Sequence, residues 1–303
     1  MAQQDNTPFG VYVTSPDYLG GVQDIPALAA VCRAQGVPLL VDNAHGAYLR
    51  FLPQNCHPIA QGAAMCCDSA HKTLPVVTGG AYLHLAHDAP VQDEAAVRGA
   101  LALFGSTSPS YLILQSLDAC NAVLAGDYPR QLAQCCAALE NLRRSLNKAA
   151  AARQCPVPLA VAGAQQEPMK LTLDAAALGC TGIALAEALR RAQMECEYAD
   201  PRYVVLMFTP ENPPQDFERL QTALEQLLAA VPAAVLRHDH CTGVLRRAAH
   251  GAGPAPLLGA GQRYLCADCA LFVPYRHRHQ RLPVHSCVQL GNAAAGVLPQ
   301  PHF

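Results

Sequence analysis

Asp42 and Lys72 stand thirty residues apart, and each follows a short apolar run. Pro38-Leu39-Leu40-Val41 leads into Asp42, and Ala44, His45 and Gly46 come next; Met65-Cys66-Cys67 leads towards Ser69-Ala70-His71-Lys72. Such runs, bounded by polar and turn-forming residues, predict short buried strands. In open parallel α/β sheets, ligands collect at the carboxyl ends of the strands. An acid at one end and an amine at the next suit a flat cofactor that needs an anion and an amine on opposite sides. Pyridoxal 5'-phosphate has those needs: a lysine forms an imine with its aldehyde, and an acid keeps its ring nitrogen protonated.

The neighbouring segments predict elements that could hold the two residues in place. Val11-Tyr12-Val13-Thr14 predicts a strand, followed by the turn-rich Ser15-Pro16-Asp17-Tyr18-Leu19-Gly20-Gly21. Asp24 can cap a helix running through Arg33, with Leu28, Ala29, Val31 and Cys32 on one face and Gly36 ending it. With the Asp42 strand this makes a βαβ unit. Further on, the pattern predicts a strand over 79–85 and helices over 93–104 and 111–124. The hydroxyl-rich Gly105-Ser106-Thr107-Ser108-Pro109 lies just before a helix start, where free backbone N–H groups can bind an anion.

Composition narrows the function classes. The chain has 303 residues, of which 51% are hydrophobic and 15% charged, so it can bury a sizeable core. A formal net charge of −2 gives no basic excess for nucleic acid. The polar opening MAQQDNTPFG lacks a signal-peptide core, and no apolar run is long enough to span a bilayer. The expectation is a soluble, cytoplasmic protein without membrane or nucleic-acid partners. Its 14 cysteines then read as small buried hydrophobes in a reducing compartment. Cys266-x-x-Cys269 with His277, His279 and His285 has some zinc-ligand character. No second cysteine pair follows at ribbon spacing, so no metal is expected.

Asp-x-Ala-His-Gly-Ala, then Ser-x-His-Lys-Thr-Leu and a Gly-Ala-x-Leu-His strand, resembles the fold-type-I pyridoxal-phosphate enzymes, and within them the ornithine/lysine/arginine decarboxylase family. The Thr-Ser-Pro-x-Tyr-x-Gly loop, Ser106 to Tyr111 with Ser116-Leu117-Asp118, Lys170 to Leu173 and Gly179 to Gly182 agree in order. The resemblance implies an α/β fold: a partial aminotransferase-like large domain with a mainly parallel sheet, plus a small C-terminal α/β domain. It implies PLP-dependent decarboxylation of arginine, lysine or ornithine through a Lys72 Schiff base. Asp42 would hold the pyridine nitrogen, Ala44 would lie under the ring, and His45 would sit by the ring or the substrate carboxylate. Ser69 and His71 would lie near the phosphate. Thr107 and Ser108 would reach the phosphate of a partner subunit, which implies a homodimer or larger homo-oligomer with shared sites. Plainer roles compete: a surface lysine, a turn-capping acid, core histidines, and helix-capping hydroxyls. His84 reads as structural.

The expected division is 1–128 for the partial large domain, 129–230 for a linker helix and small domain, and 231–303 for a poorly defined tail. Family members carry a segment before the Val11 strand that supplies a phosphate cup and a stacking aromatic. It has no counterpart here, so the resemblance implies an N-terminally truncated large domain. In the tail, Pro274-Tyr275 runs into Arg-His-Arg-His where the family has Pro-Tyr-Pro-Pro-Gly, and the resemblance stops. Two other functions stay open. One is an inactive remnant or subunit; the other is a different fold-type-I reaction, cysteine desulfuration or transamination.

Overall fold

The computed structural model describes residues 8–105, 108–155, 157–163 and 165–231, and the backbone of two short strands at 271–274 and 295–296. Two compact units divide the chain between Arg130 and Gln131.

The first unit is built on a sheet. Strands β1 (Pro8–Thr14), β2 (Leu39–Asp42) and β3 (Met65–Asp68) run parallel in that order, and β4 (Ala81–Leu85) pairs antiparallel with β3. Backbone strands β8 (Leu271–Pro274) and β9 (Ala295–Gly296) pair with β1 and β4. Helix α1 (Ile25–Ala34) connects β1 to β2; Asp24 accepts a hydrogen bond from Ala27 N at 3.1 Å and so caps it. Gly36, at φ +65°, turns the chain out of the helix.

Successive strand residues point to opposite faces, so in-register neighbours share one. Val11, Val13, Leu39, Val41 and Cys66 bury one face against Ile25, Ala29 and Cys32. The helix face therefore follows Ile25, Ala29 and Cys32 rather than the expected set: Val31 is 65% exposed, because it falls on the turn's outer side. The other sheet face carries Tyr12, Leu40, Asp42, Met65 and Cys67, all half-buried. Helices α2 (Ala70–Thr73), α3 (Glu94–Phe104) and α4 (Tyr111–Leu124) complete this unit.

Most of helix α5 (Tyr128–Ala152) lies in the second unit. There β5 (Lys170–Asp174), β7 (Tyr203–Met207) and β6 (Tyr198–Ala199) form an antiparallel sheet, and α6 (Gly182–Arg191) and α7 (Pro214–Ala230) complete it. Leu139, Leu146, Leu171, Leu173, Leu189, Val204 and Leu224 make a fully closed core. Thr181 caps α6 by accepting from Ala184 N at 3.2 Å. Among the described residues, no helix is long and apolar enough to cross a membrane.

Candidate active site

Parallel pairing of β2 and β3 puts Asp42 opposite Cys67, so the two strand ends that lead to the candidate residues are neighbours. Asp42 projects from the half-buried face. Its Oδ2 accepts from Tyr12 Oη at 3.2 Å, and its Oδ1 accepts from Ala44 N at 3.0 Å. Among the described residues, each oxygen keeps a further lone pair. Burial first, and then the Asp42 charge, push the Tyr12 phenol well above its ordinary value, so it stays a donor to the carboxylate.

The loop after β2 turns at Gly46 into a 3₁₀ turn at Ala47–Phe51. It brings His45, 6% exposed, under the loop that follows β1; Tyr18 packs edge-on to the imidazole with ring centroids 5.2 Å apart. Lys72 comes from the one-turn helix α2, and its Nζ lies 3.3 Å from His45 Nε2. The acid's loop and the lysine's turn therefore meet through His45. Lys72 is exposed, as the surface-lysine alternative would also have it, and α2, which bears it, is a single turn.

His71 Nδ1 lies 3.0 Å from Gly80 O. A carbonyl only accepts, so Nδ1 carries the proton, and Nε2 can donate to an anion only as imidazolium. Ser69, half-buried, begins the same turn. Ser108 is exposed ahead of α4, and Thr107 lies outside the described residues, as do the cysteines and histidines of the tail.

A second polar group was not foreseen. Asp68, 3% exposed, projects from the opposite face of the sheet, where its Oδ2 lies 3.0 Å from both His57 Nε2 and His84 Nε2. Its Oδ1 accepts from Asn43 Nδ2 at 2.7 Å and from Cys66 Sγ at 3.3 Å. His84 does have the structural setting expected of it. Asp68 and His57 carried no sequence signal, since only folding brings residues 43, 57, 68 and 84 together.

The donor set fits pyridoxal phosphate: a carboxylate with free lone pairs, a small residue at 44, a buried imidazole and an exposed amine share one rim.

The family model described as "Orn/Lys/Arg decarboxylase, major domain" matches residues 2–165. Uncharacterized protein YaaO of Bacillus subtilis is 34% identical over 205 residues, covering 65% of this chain and 41% of that protein. An arginine decarboxylase of the same species is 30% identical over 238 residues, covering 76% of this chain and 47% of that one. The chain thus spans less than half the length of these curated relatives. Among solved structures, the lysine decarboxylase LdcF of Francisella novicida superposes with a TM-score of 0.57 at 19% identity, covering 71% of this chain and 35% of that one. An alanine–glyoxylate aminotransferase from Nostoc sp. gives 0.53 at 17% identity, covering 72% and 61%. These likenesses are of fold, and they bear out the aminotransferase-like α/β architecture with a mainly parallel sheet. The chain belongs to the Orn/Lys/Arg decarboxylase family.

Proposed function

We propose that this chain holds the cofactor-anchoring residues of a pyridoxal-phosphate-dependent decarboxylase acting on arginine, lysine or ornithine. The observation that carries the reading is the meeting of the Asp42 loop and the Lys72 turn, with Lys72 Nζ at 3.3 Å from His45 Nε2. When bound, the cofactor supplies an electron sink for the charge left at Cα as CO2 departs. Lys72 Nζ would be the amine that holds the cofactor through its aldehyde carbon, and it could return a proton to Cα. Asp42 accepts from the protonated pyridine nitrogen, Ala44 leaves room for the ring, and His45 orients the lysine amine. Ser69 and His71 would lie by the phosphate. Thr107 and Ser108 serve the phosphate of a second copy in a homodimer, and the enzyme works in the cytoplasm.

The test is to incubate the full chain with the cofactor and each of the three amino acids. Release of CO2 and the matching amine supports the reading. Alanine with sulfide, or a keto acid, would replace it with desulfuration or transamination, and no product from any substrate would leave an inactive remnant or subunit.

A further inference from the structure

The His57–Asp68–His84 cluster lies on the sheet face turned away from Asp42, and the proposed reaction does not use it. The ligand atoms lie within 4.8 Å of one another, close enough to suggest a metal site. The protons argue for hydrogen bonding instead. Ile59 N donates to His57 Nδ1 at 3.3 Å, so the lone pair of that ring is at Nδ1, and Nε2 carries the proton that Asp68 accepts. His57, His84, Asn43 and Cys66 together give the buried carboxylate four donors. Burial alone would push the carboxyl up; hydrogen bonds from the two histidines outweigh it and hold Asp68 well below the usual carboxylate range.

The bond to Asn43 connects this anion to the site. Asn43, fully buried, stands between Asp42 and Ala44, and its backbone N donates to Cys67 O at 2.9 Å. Its carbonyl accepts from Gly46 N at 2.8 Å. Its side-chain Oδ1 lies so close to Gly46 that a Cβ there would come within 2.0 Å. Asp68 in turn immediately precedes the Ser69–Lys72 turn, whose Lys72 N bonds Ser69 O at 3.0 Å.

We propose that Asp68 is a positioning residue: through Asn43 it fixes the 43–46 loop against the turn that bears Lys72, setting one spacing between ring anchor and amine. This inference rests on the reading of Asp42 and Lys72 as cofactor residues. A buried anion bonded across two strand ends constrains both, and loss of a charge-assisted hydrogen bond costs about tenfold in the equilibrium it supports.

The experiment uses the full chain with Asp68→Asn and, separately, Asn43→Ala. Amide exchange is followed without cofactor; pyridoxal phosphate is then titrated, and the pH midpoint of its imine absorbance band is measured. In both variants the amides of residues 43–46 should exchange about tenfold faster while those of β5 are unchanged. Cofactor affinity should fall about tenfold and the band midpoint should move, which a purely structural residue would not cause. Unchanged affinity and midpoint in folded variants would overturn the proposal. If Asp68→Asn does not fold, Asn43→Ala, which leaves three donors on Asp68, decides by the same criterion. If the unaltered chain takes up no cofactor, the cofactor reading fails separately; unchanged exchange at 43–46 would then also overturn the positioning role.

Discussion

Lys72 Nζ and His45 Nε2 lie 3.3 Å apart, across the gap between two neighbouring strand ends. His45 is nearly buried beneath the Tyr18 ring, whereas Lys72 extends along an exposed rim. The imidazole thus lies against the amine, three residues along the chain from Asp42.

Asp42→Asn keeps the size of the side chain and removes its charge. With the anion gone, the protonated ring nitrogen of the proposed cofactor would lose its acceptor, so decarboxylation should slow by about 100-fold. The Lys72 imine band should still form, because the amine is untouched. Parallel measurement of band amplitude and amine production checks this, and equal loss of both would point to misfolding.

Acid should destabilise the first unit partly through Asp68. Its folded carboxyl lies below its unfolded value, so its stabilisation is complete above about pH 4 and is lost as pH falls below that. Asp68→Ala leaves two histidines and Asn43 without their acceptor and should cost about 3 kcal/mol at neutral pH. Denaturant midpoints followed from about pH 5 down to about pH 2 should fall for the native chain and be flatter for the variant.

Much of this site was legible because its residues are close in sequence and the strands that bear them are apolar. Asp42, Ala44 and His45 are read in one stretch, and Ser69, His71 and Lys72 in another, so local pattern and motif order suffice. Asp68 stands beside Ser69 yet gave no signal, since its partners His57, His84 and Asn43 are gathered only by strand pairing. Tyr12 was hidden likewise: only the β1–β2 register brings its hydroxyl to Asp42. The exposure of Val31 escaped because periodicity marks a face without saying how far the neighbouring layer extends.

Gly46 has no room for a side chain. A Cβ there would meet Asn43 Oδ1 at 2.0 Å and Leu49 Cδ1 at 2.7 Å. Gly46→Ala must displace the loop and should cost about 1–3 kcal/mol, with weaker cofactor uptake. Thermal melting beside a cofactor titration tests both effects, and a wild-type result in each would contradict the loop geometry.

Cys67 shares the sheet face of Asp42, so its thiol bears on whether sulfur chemistry occurs here. Burial first, and then the charges of Asp42 and Asp68, push it up to about 12. Cys66 is raised well above its usual value by burial and by Asp68. Neither thiol should be alkylated in the native chain near neutral pH, since the thiolate is the nucleophile. Iodoacetamide labelling with peptide mapping should find both unmodified until the chain is denatured; rapid labelling of Cys67 would favour a desulfurase instead.

The central claim is that Lys72 is the amine that carries the cofactor. Borohydride reduction of the chain mixed with pyridoxal phosphate, followed by peptide mass mapping, tests it most directly. The account predicts a stable phosphopyridoxyl group on the peptide containing Lys72, absent in Lys72→Ala. A group confined to other lysines, or found on none, would contradict it.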